Sequence, residues 1–173
     1  KGYGFVIGVA NANSTHGFVK KLGFQLVAPL RAMVGIGPLP YRDNGTAVGY
    51  ERVWGPAALR WRLAHPAYPY TLKRAGDTRL LLSARSQHGA RYVLGFARDA
   101  RFDGLADEER SSVRMKAWIG LDPALRWGGS LYVNVPLRYR PSPLNLIFKD
   151  LSDKGRKLHA DSVRFSALDF DIL

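Results

Sequence analysis

Three groups of side chains in this sequence have types and spacings that can do chemistry. The first is Asn11, Asn13, Ser14 and His16, followed closely by Lys20 and Lys21. An imidazole exchanges protons near neutral pH, so His16 is the candidate proton carrier; a solvent-facing histidine in the first turn of a helix is the plainer alternative. Asn11 and Ser14 are both strong helix N-cap residues. The two lysines can meet phosphates, or form a solvated face near a helix C-terminus. The second group is Asp169-Phe170-Asp171. On a strand, carboxylates two apart share a face and can hold a metal or tune each other's acidity. No further His or carboxylate cluster lies nearby in sequence, so an exposed terminal strand is expected and no metal. The third group interleaves arginine with aromatics, at Arg60-Trp61-Arg62 and Arg138-Tyr139-Arg140. Such pairs can stack on bases. On a strand, Arg138 and Arg140 would instead share one face with Tyr139 on the other, an ordinary alternation. His65, His88 and His159 show no ligand spacing, and no Ser sits in a Gly-x-Ser-x-Gly turn.

These groups need elements to position them. Residues 5–10 read as a strand and 14–22 as a helix, with Phe18, Val19 and Leu22 at helical spacing and Gly23 as the stop. Residues 24–35 read as one long strand or two consecutive ones. The Gly-, Pro-, Asp- and Asn-rich stretch from Gly35 to Gly49 is the best linker. Pro56 suits the first turn of a helix running to about Ala64. Residues 70–75, 79–84 and 91–97 then read as an antiparallel meander. Residues 111–118 fit a helix behind the acidic Asp107-Glu108-Glu109, although Val113, Met115 and Ala117 also alternate as in a strand. Strands are expected at 131–135, 144–148 and 162–170.

Composition narrows the class. The 173 residues carry a formal charge of +12, with a hydrophobic content of 46% and no cysteine. Disulfides and thiolate metal sites are excluded, and no apolar run reaches the roughly 20 residues that span a bilayer. A cytosolic protein without a membrane partner is the simplest reading. The basic residues are scattered rather than gathered in an arm, which argues against nucleic acid as the partner. A diffuse positive field still steers small polyanions, phosphates among them.

The stretch from Phe5 to Phe24 joins a short strand, Asn11, Ser14, a short helix and Lys21-Leu22-Gly23-Phe24. It resembles the second half of a GNAT domain, the acetyl-CoA-dependent N-acetyltransferase superfamily. Ala58–Tyr70, with Trp61, Pro66, Tyr68 and Tyr70, is similar to an opening found in one bacterial GNAT subgroup with two GNAT-like halves in tandem. Residues 143–148 and 162–171 resemble that subgroup's terminal strands. The resemblance implies an α+β fold with a mixed, mostly antiparallel GNAT-like sheet and flanking helices. It divides the chain into residues 1–37, the C-terminal part of one GNAT domain; 38–54, a linker; and 55–173, a degenerate second half.

The same resemblance implies acetyl-CoA as co-substrate and a primary amine, such as that of an amino sugar, as acceptor, with a homodimer among the assemblies it admits. In that family the Asn-bearing strand splays from a parallel neighbour, and the gap admits the pantetheine arm. Asn11, Asn13, Ser14 and Lys21 are then the cofactor-side residues, and His16 the general acid. The family's usual acid, a Tyr, would fall at Val19, which cannot donate a proton. The family's pyrophosphate turn belongs upstream of Phe5, so the chain reads as a C-terminal piece. Arg31–Gly37 looks like that turn but is spaced one residue too long, and Pro38 and Pro40 disfavour the helix it needs. A non-catalytic packing or partner-binding module is the alternative.

Overall fold

The computed structural model describes residues 2–42, 45, 47–64, 66, 70–75, 78–87, 90–97 and 115–170. They form an α+β fold of mixed, mostly antiparallel sheets with two short α-helices. No helix among them is long and apolar enough to cross a membrane.

The first strand, β1 (Phe5–Ala10), leads into α1 (Ala12–His16), whose last turn widens into a π-helix over Gly17–Lys21. The single helix expected over 14–22 is therefore two coils. Gly23 stops it at φ +68°, a left-handed conformation that suits glycine. The closing bond from Phe24 N–H reaches Phe18 O at 3.0 Å, and the Phe18 and Phe24 rings meet edge to face. The chain then forms β2 (Gln25–Pro29) and, after Leu30, β3 (Arg31–Gly35). These are two consecutive strands in two different sheets.

A two-residue strand, β4 (Tyr50–Glu51), precedes α2 (Pro56–Leu63), which opens with Pro56 and buries Leu59 and Leu63. The meander forms as β5 (Tyr70–Ala75), β6 (Thr78–Gln87) and β7 (Ala90–Ala97). Residues 116–118, expected in a helix, open the strand β8 (Lys116–Leu121) instead. The strand won because both of its faces are covered, with Ala117, Trp118 and Leu121 all buried; residues 98–114 lie outside the described residues. The remaining strands are β9 (Tyr132–Asn134), β10 (Asn145–Asp150) and β11 (Val163–Ser166).

Two expected strand positions need correction. Arg138 and Tyr139 lie in a 3-10 turn over Leu137–Tyr139, so Arg138, Tyr139 and Arg140 do not alternate across a sheet. Pro136 and Pro141 flank the turn, and proline removes the N–H a ladder needs. The last strand ends at Ser166 rather than running to 170. Asp169 sits in the following turn, and its carboxylate accepts the Ser166 N–H at 2.8 Å, which folds the chain back. Asp171 lies outside the described residues.

Two pairings across the chain define the architecture. A three-stranded antiparallel sheet has the order β1-β10-β2. A similar unit, β8-β3-β9, sits within the larger sheet, which continues through β11, β7, β6 and β5. The central strand of each unit is donated by the other segment: β3 leaves the first and β10 returns to it. The opposite edge of β8 is shared. It pairs in parallel with β7 as far as Val93↔Trp118, and antiparallel with β11 at Ser166↔Gly120. Beyond Val93 the parallel strands separate, and residues 167–168 fill the gap. Ala167 N–H donates to Ile119 O at 3.1 Å and Leu168 N–H to Leu94 O at 2.8 Å.

Two apolar cores result among the described residues. Met33, Leu39, Val93, Trp118, Leu125 and Tyr132 form one. The other, built on Leu30, Leu121, Leu146, Phe148, Val163 and Phe165, joins the three-stranded sheet to the larger one.

Candidate functional site

The polar residues singled out at the start of the chain meet at the end of β1. Asn11 is the N-cap of α1, and its Oδ1 accepts from the Ser14 N–H at 2.9 Å. Ser14 Oγ in turn accepts the Asn11 N–H at 3.1 Å, completing a reciprocal capping box. The helix is pinned to the three-stranded sheet from two directions. Ala12 N–H donates to Ser142 Oγ at 3.2 Å, and Asn145 Nδ2 donates to Thr15 Oγ1 at 2.9 Å. Asn11 Nδ2 makes no hydrogen bond among the described residues, so this amide can still donate outward.

Asn13 is exposed in the first turn, and Lys21 is exposed at the end of the π segment. His16 closes α1 and is exposed, whereas Val19 is half-buried. The α-to-π change falls between them, so the one-turn relation expected of residues three apart on an α-helix does not carry over. Asn11, Asn13 and Ser14 are thus brought together, with His16 and Lys21 farther along the same short helical segment.

The outer edge of β1 is open among the described residues, because β10 is its sole strand partner and runs antiparallel; the parallel neighbour from which the resemblance has this strand splay is not found there. The Leu151 N–H donates to Gly4 O at 3.0 Å. In an antiparallel ladder this fixes the phase, so the main-chain groups of Phe5, Ile7 and Val9 point away from β10. An extended ligand with amide groups can pair with such an edge.

A second polar cluster surrounds Asp169. Its carboxylate accepts from Ser166 N–H and from Trp54 Nε1 at 3.1 Å. Arg52 lies 3.8 Å over the Trp54 ring, and the nearly buried Arg164 bridges Glu51 at 3.2 Å and Asp122 at 3.6 Å. Burial pushes the Asp169 carboxyl above its ordinary range, against the lowering effect of its hydrogen bonds. The hollow here measures about 60 Å³, too small for a substrate. The cluster therefore ties β4, β11 and the closing turn together. No group of three His, Asp or Glu residues among the described residues is placed to hold a metal ion.

A pH dependence follows from Asp169. The folded state holds this proton more tightly than the unfolded chain does. Its contribution is complete below the ordinary value of 3.8 and is lost as pH rises through the raised folded value. Asp169→Asn removes this dependence but keeps only one acceptor oxygen for the two donors, Ser166 N–H and Trp54 Nε1. The variant should lose most stability relative to the parent at low pH and least at neutral pH. Urea midpoints at several pH values check this; a constant difference would contradict it.

No family model, curated protein or solved structure matches this chain. One charged grouping was not assembled by the motif reading, although Arg31 and Arg140 each figured in it separately. Arg31, Arg126 and Arg140 line one large cleft, yet they come from three separate segments with no local pattern to join them.

Proposed function

We propose that this chain belongs to an acetyl-CoA-dependent N-acetyltransferase of the GNAT type, acting on a primary amine. The observation that carries the reading is the open edge of β1 running directly into the Asn11-capped helix. A pantetheine arm laid along that edge meets outward main-chain groups of Phe5, Ile7 and Val9, and then the spare Asn11 Nδ2. The parallel pair β7 and β8 offers no equivalent place, since residues 167–168 already occupy its gap. The reciprocal exchange of β3 and β10 supports two related halves in tandem.

In this reading Asn11, Asn13, Ser14 and Lys21 lie on the cofactor side. His16 supplies the proton to the departing thiolate while the amine attacks the thioester carbon. The thioester C–S bond breaks, the new amide C–N bond forms, and the amine's proton leaves to solvent or a base. Val19 favours the alternative, a GNAT-like module that packs or binds a partner without chemistry, because the family's usual acid position cannot donate a proton.

Asn11→Ser separates capping from cofactor contact, since serine caps helices about as well as asparagine but lacks the amide donor. Its melting temperature should match the parent's. Its affinity for acetyl-CoA, read by calorimetry, should fall about fivefold, the cost of one lost hydrogen bond. No binding of acetyl-CoA by the parent protein would leave the non-catalytic module standing.

A further inference from the structure

The geometry points to a second ligand site, at the crossover from β2 to β3, that takes a small phosphate ester through Arg31, Arg126 and Arg140. The cleft there has a volume of about 760 Å³, and small-molecule sites commonly measure about 300–1,000 Å³. Its lining combines the three arginines with Leu30, Leu121 and Leu137. That is the mixture an anionic head on a compact organic body requires.

The charge balance inside the cleft is the main argument. Arg140 is partly buried, yet it donates only to neutral acceptors: Val135 O at 2.8 Å, Leu30 O at 2.9 Å and Asn134 Oδ1 at 2.8 Å. A guanidinium carries five N–H donors, so two remain after these three bonds. The three bonds also fix the orientation of the fork, which prepares it for the bidentate geometry arginine uses on phosphate. Burial lowers the Arg140 pKa. Arg31 and Arg126 are exposed and form no ion pair among the described residues.

Two carboxylates also line the cleft, Asp122 and Asp161. Asp122 is engaged by the Ala124 N–H at 2.8 Å and by Arg164 at 3.6 Å. Three arginines therefore face one unspent carboxylate, Asp161. The excess matches the two negative charges of a phosphate monoester. All three arginines line one concavity beside apolar walls.

This site does not rest on the acyltransferase reading, and it predicts binding whether or not acetyl-CoA binds. The probes are glucose 6-phosphate, glucose and inorganic phosphate, titrated calorimetrically into the protein at fixed ionic strength. Glucose 6-phosphate should bind saturably, glucose should not, and inorganic phosphate should bind more weakly. The exposed pair can be removed without touching the core. Arg31→Ala with Arg126→Ala should weaken glucose 6-phosphate binding at least tenfold with the circular dichroism unchanged. Arg60→Ala, on the exposed face of α2, should leave it unaltered. Binding that survives the double substitution, an equal loss in Arg60→Ala, binding of inorganic phosphate alone, or no saturation would each overturn the assignment.

Discussion

Replacing Gly120 with alanine should destabilise the fold by about 3–5 kcal/mol, combining backbone strain with overpacking against fixed neighbours. Gly120 adopts φ +154°, a conformation L side chains rarely enter. A Cβ there would lie 2.2 Å from Phe165 O, 2.9 Å from Ser166 Cα and 3.0 Å from Trp118 Cζ2. Two of these neighbours are main-chain atoms of β11, which is itself paired to Gly120 and Leu121. On the other edge β3 pairs at Arg31↔Gly120, so β8 cannot slide away to make room. Total stabilities of single domains are about 5–15 kcal/mol, so the variant should lose much of the folded population. Gly8→Ala in β1 is the matched control, because nothing lies within 4 Å of its Cβ position. A urea midpoint for Gly120→Ala close to that of Gly8→Ala would contradict the close approach of β8 and β11.

The contrast between these glycines shows what the sequence could and could not reveal. Both lie in apolar runs, and the difference is made by a strand more than forty residues away. Several local signals were legible. The Gly23 stop, Pro56 at the start of α2 and the meander from Tyr70 formed where the residues indicated, while the helix expected from Ser14 opens two residues earlier on the Asn11 cap. The exchange of β3 and β10 left no such trace, since Leu146 finds its partners Val9 and Ala28 more than a hundred residues earlier. Asp169 misled for a related reason. Its spacing from Asp171 fits a strand, but Trp54 Nε1 and the Ser166 N–H draw its carboxylate into a turn. At the candidate site, the residues gathered by one short helix were readable together. The outward face of β1 was not, because an edge is defined by what fails to pair with it.

The exchange also determines how the molecule should unfold, and Leu146→Ala tests this. Leu146 is completely buried at the middle of β10, between β1 and β2, and packs with Leu30, Leu121 and Phe148. Truncating it removes buried methyl groups and leaves a cavity beneath a sheet that cannot collapse from either side. The expected loss is about 2–5 kcal/mol, or roughly 10 °C in melting temperature for a chain of this size. Leu151→Ala, one residue beyond β10 and substantially exposed, should change stability by no more than about 0.5 kcal/mol. Because β10 completes the sheet begun by β1 and β2, while β3 completes the unit of β8 and β9, neither can close without the other. Leu146→Ala should therefore lower one shared transition. Amide exchange in β3 and β8 should accelerate together with that in β1. Two separate transitions, with the larger sheet unmoved, would mean that the exchanged strands do not couple the halves.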